Sequence, residues 1–203
     1  MEGAKGSGKS AVVQRMIYGF LSNQYTVTSI STELTVKDFI NQMYSLDYPI
    51  ASWLLDGKLK FVPVYPLVGN ARSRVDFLGM LMSSRDLYTS DVIVIDTFSS
   101  LVSNSLRGEE NSIKVLSFFK RLAGMNKSIV ITIDPEEMNG KVLAPFESDS
   151  HVYLSLVVSQ VGGIISRSIM VKRFASTQYR VSPMIGFRIE PNVGMVIEIT
   201  SVV

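Results

Sequence analysis

Short apolar runs rich in β-branched residues alternate with helix-period patterns over the first two thirds of the chain. Residues 25–31, 59–64, 91–96 and 128–133 read as strands, and residues 10–21, 36–45, 73–87 and 109–124 as helices. Strands separated by helices imply right-handed βαβ crossovers and a parallel sheet. Val92-Ile93-Val94-Ile95 is apolar at every position, as in a strand covered on both faces. The last third changes character. Residues 151–160 and 164–174 are strand-like around Val161-Gly162-Gly163, and residues 186–190 and 194–200 around Pro191-Asn192, which predicts two hairpins. The expected fold is α/β, a mainly parallel sheet flanked by helices and ending in antiparallel strands.

Composition narrows the picture. The chain has 203 residues, 46% of them hydrophobic, which suits a single domain over residues 1–203 with one core. Twenty basic residues face eighteen acidic ones, a net charge of +2 that gives a nucleic acid no electrostatic foothold. Cysteine is absent, which removes disulfides and thiolate metal sites. The most apolar stretch, residues 154–165, is interrupted by Ser155, Ser159, Gln160, Gly162 and Gly163. It also falls short of the roughly 20 apolar residues that a spanning helix needs. No charged segment followed by an apolar one opens the chain, so neither signal peptide nor membrane span is expected and the expected setting is cytoplasmic.

The chemistry concentrates at the start. Gly3-Ala4-Lys5-Gly6-Ser7-Gly8-Lys9-Ser10 matches the phosphate-binding pattern G-x-x-x-x-G-K-[ST] in full. Chance produces this pattern in roughly one chain of this length in a hundred. Its glycines let the backbone turn so that successive N–H groups point inward at phosphates, and the helix that follows adds its positive end. Lys9 supplies a mobile cation for the β and γ phosphates, the Ser10 hydroxyl a ligand for Mg²⁺, and Ala11 closes the nucleotide-binding set. A strand normally precedes such a loop. Here only Met1 and Glu2 do, so the central strand of the expected sheet is expected to be missing.

Two carboxylates complete the constellation. Asp96 ends the apolar run 92–95 and is placed to hold the metal, directly or through water; it could equally cap the segment that starts at Thr97. Glu33 follows the strand 25–31 at the edge where ligands bind in open α/β sheets. There it could orient or deprotonate the water that attacks a γ-phosphate, or belong to a cap ahead of the helix 36–45.

Further segments add to the loop: Ser31-Thr32-Glu33-Leu34-Thr35, Lys37-Asp38-Phe39-Ile40, Leu55-Asp56-Gly57-Lys58-Leu59 running into Phe61-Val62-Pro63-Val64, and Val94-Ile95-Asp96-Thr97. With them the sequence resembles the RecA/KaiC class of P-loop ATPases over nearly its whole length. The segments after Glu33 and Gly57 point to its KaiC-like branch, and within that to ATP-binding components of the archaellum, the archaeal motility filament. The resemblance implies a RecA-like fold, Mg-ATP, and a ring, often a hexamer, with nucleotide between subunits. It also implies a place at the archaellum base, peripheral to the membrane, beneath the polytopic platform protein FlaJ and beside the motor ATPase FlaI. It puts Glu33 in the catalytic position, but Leu34 stands where KaiC-type domains carry a second Glu. Such domains also offer a Lys and, two residues on, an Arg to the neighbour's γ-phosphate. Lys172 fits the Lys, Phe174 stands at the Arg position, and Arg173 lies between them. An arginine finger is worth about 10³–10⁵ in rate, so the implied function is regulatory or assembly-related, with weak or conditional hydrolysis.

The rival readings are an active ATPase with Glu33 as base, a DNA strand-exchange protein, and a clock-type kinase acting near Ser176-Thr177. Residues 102–107 and 134–148 hold only Arg107 and Lys141 as basic residues, which argues against DNA loops. Asp134 occupies the place of a polar sensor, or simply turns the chain with Pro135. Glu136-Glu137 reads as a solvated loop, and Trp53 as a possible mark of a partner surface.

Overall fold

The computed structural model describes residues 1–64, 77–102, 109–161, 163–175 and 182–198. Its strands are β1 (Glu2–Gly3), β2 (Val27–Ser31), β3 (Leu59–Pro63), β4 (Val92–Asp96), β5 (Ser128–Ile131), β6 (Val152–Val161), β7 (Ile164–Phe174), β8 (Met184–Glu190) and β9 (Gly194–Glu198). Its helices are α1 (Lys9–Ser22), α2 (Val36–Ser45), α3 (Ala51–Leu55), α4 (Phe77–Ser83), α5 (Phe98–Val102), α6 (Glu109–Gly124) and α7 (Gly140–Asp149). Of the expected elements, residues 73–76 and 199–200 lie outside the described residues, as do Ser176-Thr177.

Four strands form a parallel sheet in the order β3-β2-β4-β5. Its inner strands β2 and β4 are buried at every position; β4 is apolar up to Asp96, as a strand covered on both faces demands, whereas β2 also buries Thr28, Ser29 and Ser31. A second sheet runs β1-β6-β7-β8-β9, with β1 parallel to β6 and the rest antiparallel. The sheets meet where Glu2 bridges Ile133. There the Gly3 amide donates to the Ile133 carbonyl (3.1 Å), and the Ile133 amide to that of Met1 (2.9 Å). The strand expected before the phosphate loop is thus represented by two residues. On the Met1 side of them, between β5 and β6, lies a cleft of about 630 Å³ lined by Met1, Phe119, Ile129, Ile131 and Leu154.

Helix α2 begins with a reciprocal cap: the Thr35 side chain accepts from the Asp38 amide, and Asp38 accepts from Thr35. Helix α1 buries Val12, Val13, Ile17 and Leu21 against the sheets. Tyr18 stacks on Tyr48 at 5.0 Å and meets Trp53 edge-on at 5.6 Å, so Trp53 packs within the fold. Three helices were not anticipated: α3, α5, and α7, which carries Pro145 in its interior.

Candidate functional site

Strand register gathers the site at one edge. Gly3 pairs with Leu156 of β6 on one side, and its amide meets Ile133 on the other. The Thr132 amide donates to the Ile95 carbonyl (3.1 Å), and Asp96 pairs with Ser31 of β2. The ends of β1, β5, β4 and β2 therefore lie side by side. The loop leaving β1 climbs over this edge and enters α1.

Gly6 and Gly8 adopt φ of +80° and +96°, backbone that disfavours any side chain. Gly8 is also crowded: a Cβ there would come within 3.3 Å of the Phe187 ring. Ser7 Oγ is buried with no hydrogen-bond partner among the described residues, and so is Thr32 Oγ1, just beyond β2. Leaving such a group unpaired costs about 1–3 kcal/mol, which an anionic ligand with acceptor oxygens would remove for Ser7. Lys9 Nζ donates to the carbonyls of Gly3 and Ala4, the latter at 3.1 Å, and lies 3.8 Å from the Asp134 carboxylate. Its ammonium stands among acceptors that a triphosphate could replace. Ser10 and Ala11 are half-buried in the first turn of α1, while Ala4, Lys5 and Gly6 are exposed.

Asp96 is 7% exposed, and its Oδ1 accepts a 2.7 Å bond from the Thr132 hydroxyl. Thr132 also receives the amides of Thr97 (2.6 Å, on Oγ1) and Phe98 (2.9 Å, on the carbonyl). Thr132, not Asp96, therefore satisfies the start of α5, and the Asp96 carboxylate keeps its other oxygen for a ligand. Thr97 itself sits at φ +60°. Such backbone costs a β-branched residue about 1–3 kcal/mol and is typical of functional sites. Glu33 is exposed two residues beyond Ser31. The α2 cap is made by Thr35 and Asp38, so Glu33 takes no part in it.

Asp134 makes the turn considered for it and also approaches the phosphate loop. Its Oδ1 accepts the Glu136 amide in an Asp-Pro turn, while Oδ2 faces Lys9. Glu137 departs from the solvated loop expected for it. One oxygen accepts both the Ser99 (2.8 Å) and Ser100 (2.7 Å) hydroxyls, tying the turn after β5 to α5. Thr132 and Glu137 are the residues that sequence reasoning missed.

Lys172 is committed within its own chain. Its ammonium lies 2.7 Å from Glu2 Oε1 and 3.8 Å from Glu147. The Tyr153 hydroxyl donates to the other Glu2 oxygen at 2.8 Å. The β6–β7 register shifts here, Tyr153 opposing Arg173 while Leu154 opposes Val171. Lys172 is the extra residue of this bulge, which turns its side chain toward β1. Arg173 Nε donates to the Ser150 carbonyl at 2.7 Å, and Phe174 is 39% exposed.

A model of the family described as "ATPase: KaiC" matches residues 1–201. The chain is 36% identical over 202 residues to the archaeal flagellar ATP-binding protein FlaH of Methanocaldococcus jannaschii, covering 100% of this chain and 86% of that relative. Identity is again 36% over 202 residues to the protein of the same name from Methanococcus voltae, covering 100% and 87%. The crystal structure of flagellar accessory protein FlaH from M. jannaschii superposes with a TM-score of 0.90 at 35% identity, over 98% of this chain and 88% of that one.

Proposed function

The chain belongs to the KaiC family of ATPases and, within it, to the FlaH family, and from that premise we propose that it is an ATP-binding regulatory or assembly component of the archaellum motor. The observation that carries the binding half is the loop of residues 3–10. Two positive-φ glycines shape it, a buried hydroxyl inside it has no partner among the described residues, and it stands over the edge that holds Asp96 and Asp134. Its amides and Lys9 take the phosphates. Ser10 and Asp96 would hold Mg²⁺, directly or through water, and the ion would supply positive charge against the phosphates.

Weak or conditional turnover is the second half. Glu33 stands alone beside Leu34, Phe174 stands where an Arg would serve a neighbour, and Lys172 is held by Glu2. ATP binding then acts as a switch, in which the γ-phosphate and its metal favour one arrangement of subunits over another. The proposed setting is a ring, of six subunits by resemblance, in the cytoplasm at the archaellum base, against FlaI and FlaJ. Among the described residues no helix is long and apolar enough to cross a membrane.

Native mass measurement with and without Mg-ATP, combined with phosphate release, tests this reading. The expected result is nucleotide uptake, a change in assembly, and turnover below about one per second, the low end of ordinary enzymes. Turnover well above that in the isolated protein overturns the switch.

A further inference from the structure

Lys9 is held by a carboxylate as well as by the loop it belongs to. Its ammonium donates to the Gly3 and Ala4 carbonyls and lies 3.8 Å from Asp134 Oδ2. The two side chains are only 11% and 10% exposed, so water and salt screen them poorly. Among the described residues, Lys9 is the cation that Asp134 meets.

Asp134 is also rigidly mounted. Ile133, just before it, is bonded to β1 through both its amide and its carbonyl. The Asp134 amide donates to Ser99 Oγ at 2.9 Å, and the Asp134 carbonyl accepts the Glu137 amide at 3.1 Å. Ser99 in turn donates to Glu137, while Oδ1 accepts the Glu136 amide at 3.1 Å. The turn uses Oδ1, and Oδ2 is left to Lys9. Asparagine would make the same turn, so the turn does not account for the negative charge. That charge bears on any phosphate ligand. A triphosphate drawn to Lys9 comes beside Asp134, and two anions then share one lysine. Like charges repel strongly where screening is poor, and a carboxylate fixed in this way cannot move aside. A divalent cation carried by the triphosphate removes the conflict, because it lowers the net charge of the ligand before it reaches the loop.

We propose that Asp134 sets the charge specificity of the phosphate loop: it admits a triphosphate complexed with a divalent cation and opposes the same triphosphate without metal. The proposal rests on the phosphate-loop reading above. Lys9 and Asp134 then act as a pair, in which the lysine attracts phosphate and the carboxylate turns away the metal-free form that an unopposed lysine would take up.

Calorimetry on the whole protein tests this with two probes, ATP in excess Mg²⁺ and ATP in excess EDTA. The parent is expected to bind the magnesium complex tenfold or more tighter than metal-free ATP, on the order of one like-charge conflict. Asp134→Asn keeps the acceptor of the turn and removes the charge. It strengthens metal-free ATP roughly tenfold and leaves Mg-ATP within about threefold. Asp134→Ser, whose hydroxyl also accepts the amide two residues on, gives the same split. Glu136→Gln removes an exposed carboxylate from the same turn and leaves both probes within about twofold, as screening by water dictates. Equal affinity of the parent for both probes, or an Asp134→Asn change that falls on both alike, on neither, or against metal-free ATP, overturns the proposal while leaving the phosphate loop standing. An equal gain for metal-free ATP in Glu136→Gln also overturns it, since net charge and not Asp134 would then be responsible. If the parent takes up neither probe, the phosphate-loop reading fails and the charge specificity fails with it.

Discussion

Replacing Lys172 with Met separates two roles for this residue, a cation offered to a neighbouring subunit and a partner for Glu2. Glu2 has a side chain only 8% exposed and lies 2.7 Å from the Lys172 ammonium. Removing one member of a buried pair costs about 3–5 kcal/mol, because the other charge is left behind. The Lys172 side chain is 34% exposed and Tyr153 still donates to Glu2, so the expected loss is lower, about 2–3 kcal/mol. The pH dependence follows from the pair. Burial pushes the Glu2 carboxyl up, but bonds from Lys172, Tyr153 and Ser155 more than offset it and hold the pKa below the usual carboxylate range. The folded value being depressed, this contribution is present above the ordinary carboxyl pKa and is lost as pH falls through the folded one. The Glu2 bond raises Lys172 above the usual lysine range. Its contribution is therefore full below the ordinary lysine pKa and lost only as pH rises through the higher folded value.

Around neutrality the pair is intact. Without Lys172, burial acts on Glu2 with less opposition, its pKa climbs, and protonation relieves the penalty. The difference between Lys172→Met and the parent in urea unfolding should be largest near pH 7 and shrink toward about pH 4. In a double-mutant cycle, Glu2→Gln with Lys172→Met should cost less than the two single changes added together. A Lys172→Met protein within about 0.5 kcal/mol of the parent at pH 7, yet defective in assembled turnover, would refute the reasoning and give Lys172 to the neighbour's nucleotide.

Thr132→Val removes the donor to Asp96 and the acceptor for the Thr97 amide. It should lower stability by about 1–3 kcal/mol and raise the Mg²⁺ concentration that ATP binding requires, with Thr132→Ser restoring both; unchanged Mg²⁺ dependence would detach Thr132 from the metal. Gly194→Ala puts a Cβ 2.2 Å from the Tyr48 hydroxyl, at φ +90°, and that hydroxyl accepts the Met195 amide. A melting temperature lower by roughly 4 °C or more is expected, and a shift within about 1 °C would contradict the tight approach of the β8–β9 turn to Tyr48. Glu33→Gln should leave ATP affinity unchanged and reduce phosphate release; the same slow rate in both proteins would mean that Glu33 does not act on the attacking water.

What was legible in the sequence is what local chemistry encodes. The glycines of the phosphate loop announce themselves because only glycine takes the φ values seen at Gly6 and Gly8 without strain. Helix α2 spans the residues its pattern predicts, since Thr35 and Asp38 sit three apart ahead of an amphipathic run. The strands β2, β4 and β5 lie within the runs predicted for them, and Asp91, just ahead of β4, accepts the Thr26 amide and hydroxyl. Helix α7 was hidden by Gly140 and Pro145, both poor in a helix interior, and forms because Asn139 caps it while Val142 and Phe146 are buried. Thr132 was hidden differently: a threonine in an apolar run reads as a strand filler, and only the pairing of β5 with β4 brings it to Asp96. Lys172 is the sharpest case. Strict alternation predicts the face of each side chain on β7, and a one-residue bulge cancels that prediction. Whether a bulge falls at 172 depends on what Glu2 and Tyr153 offer across two strands, and no window of local sequence contains all three residues.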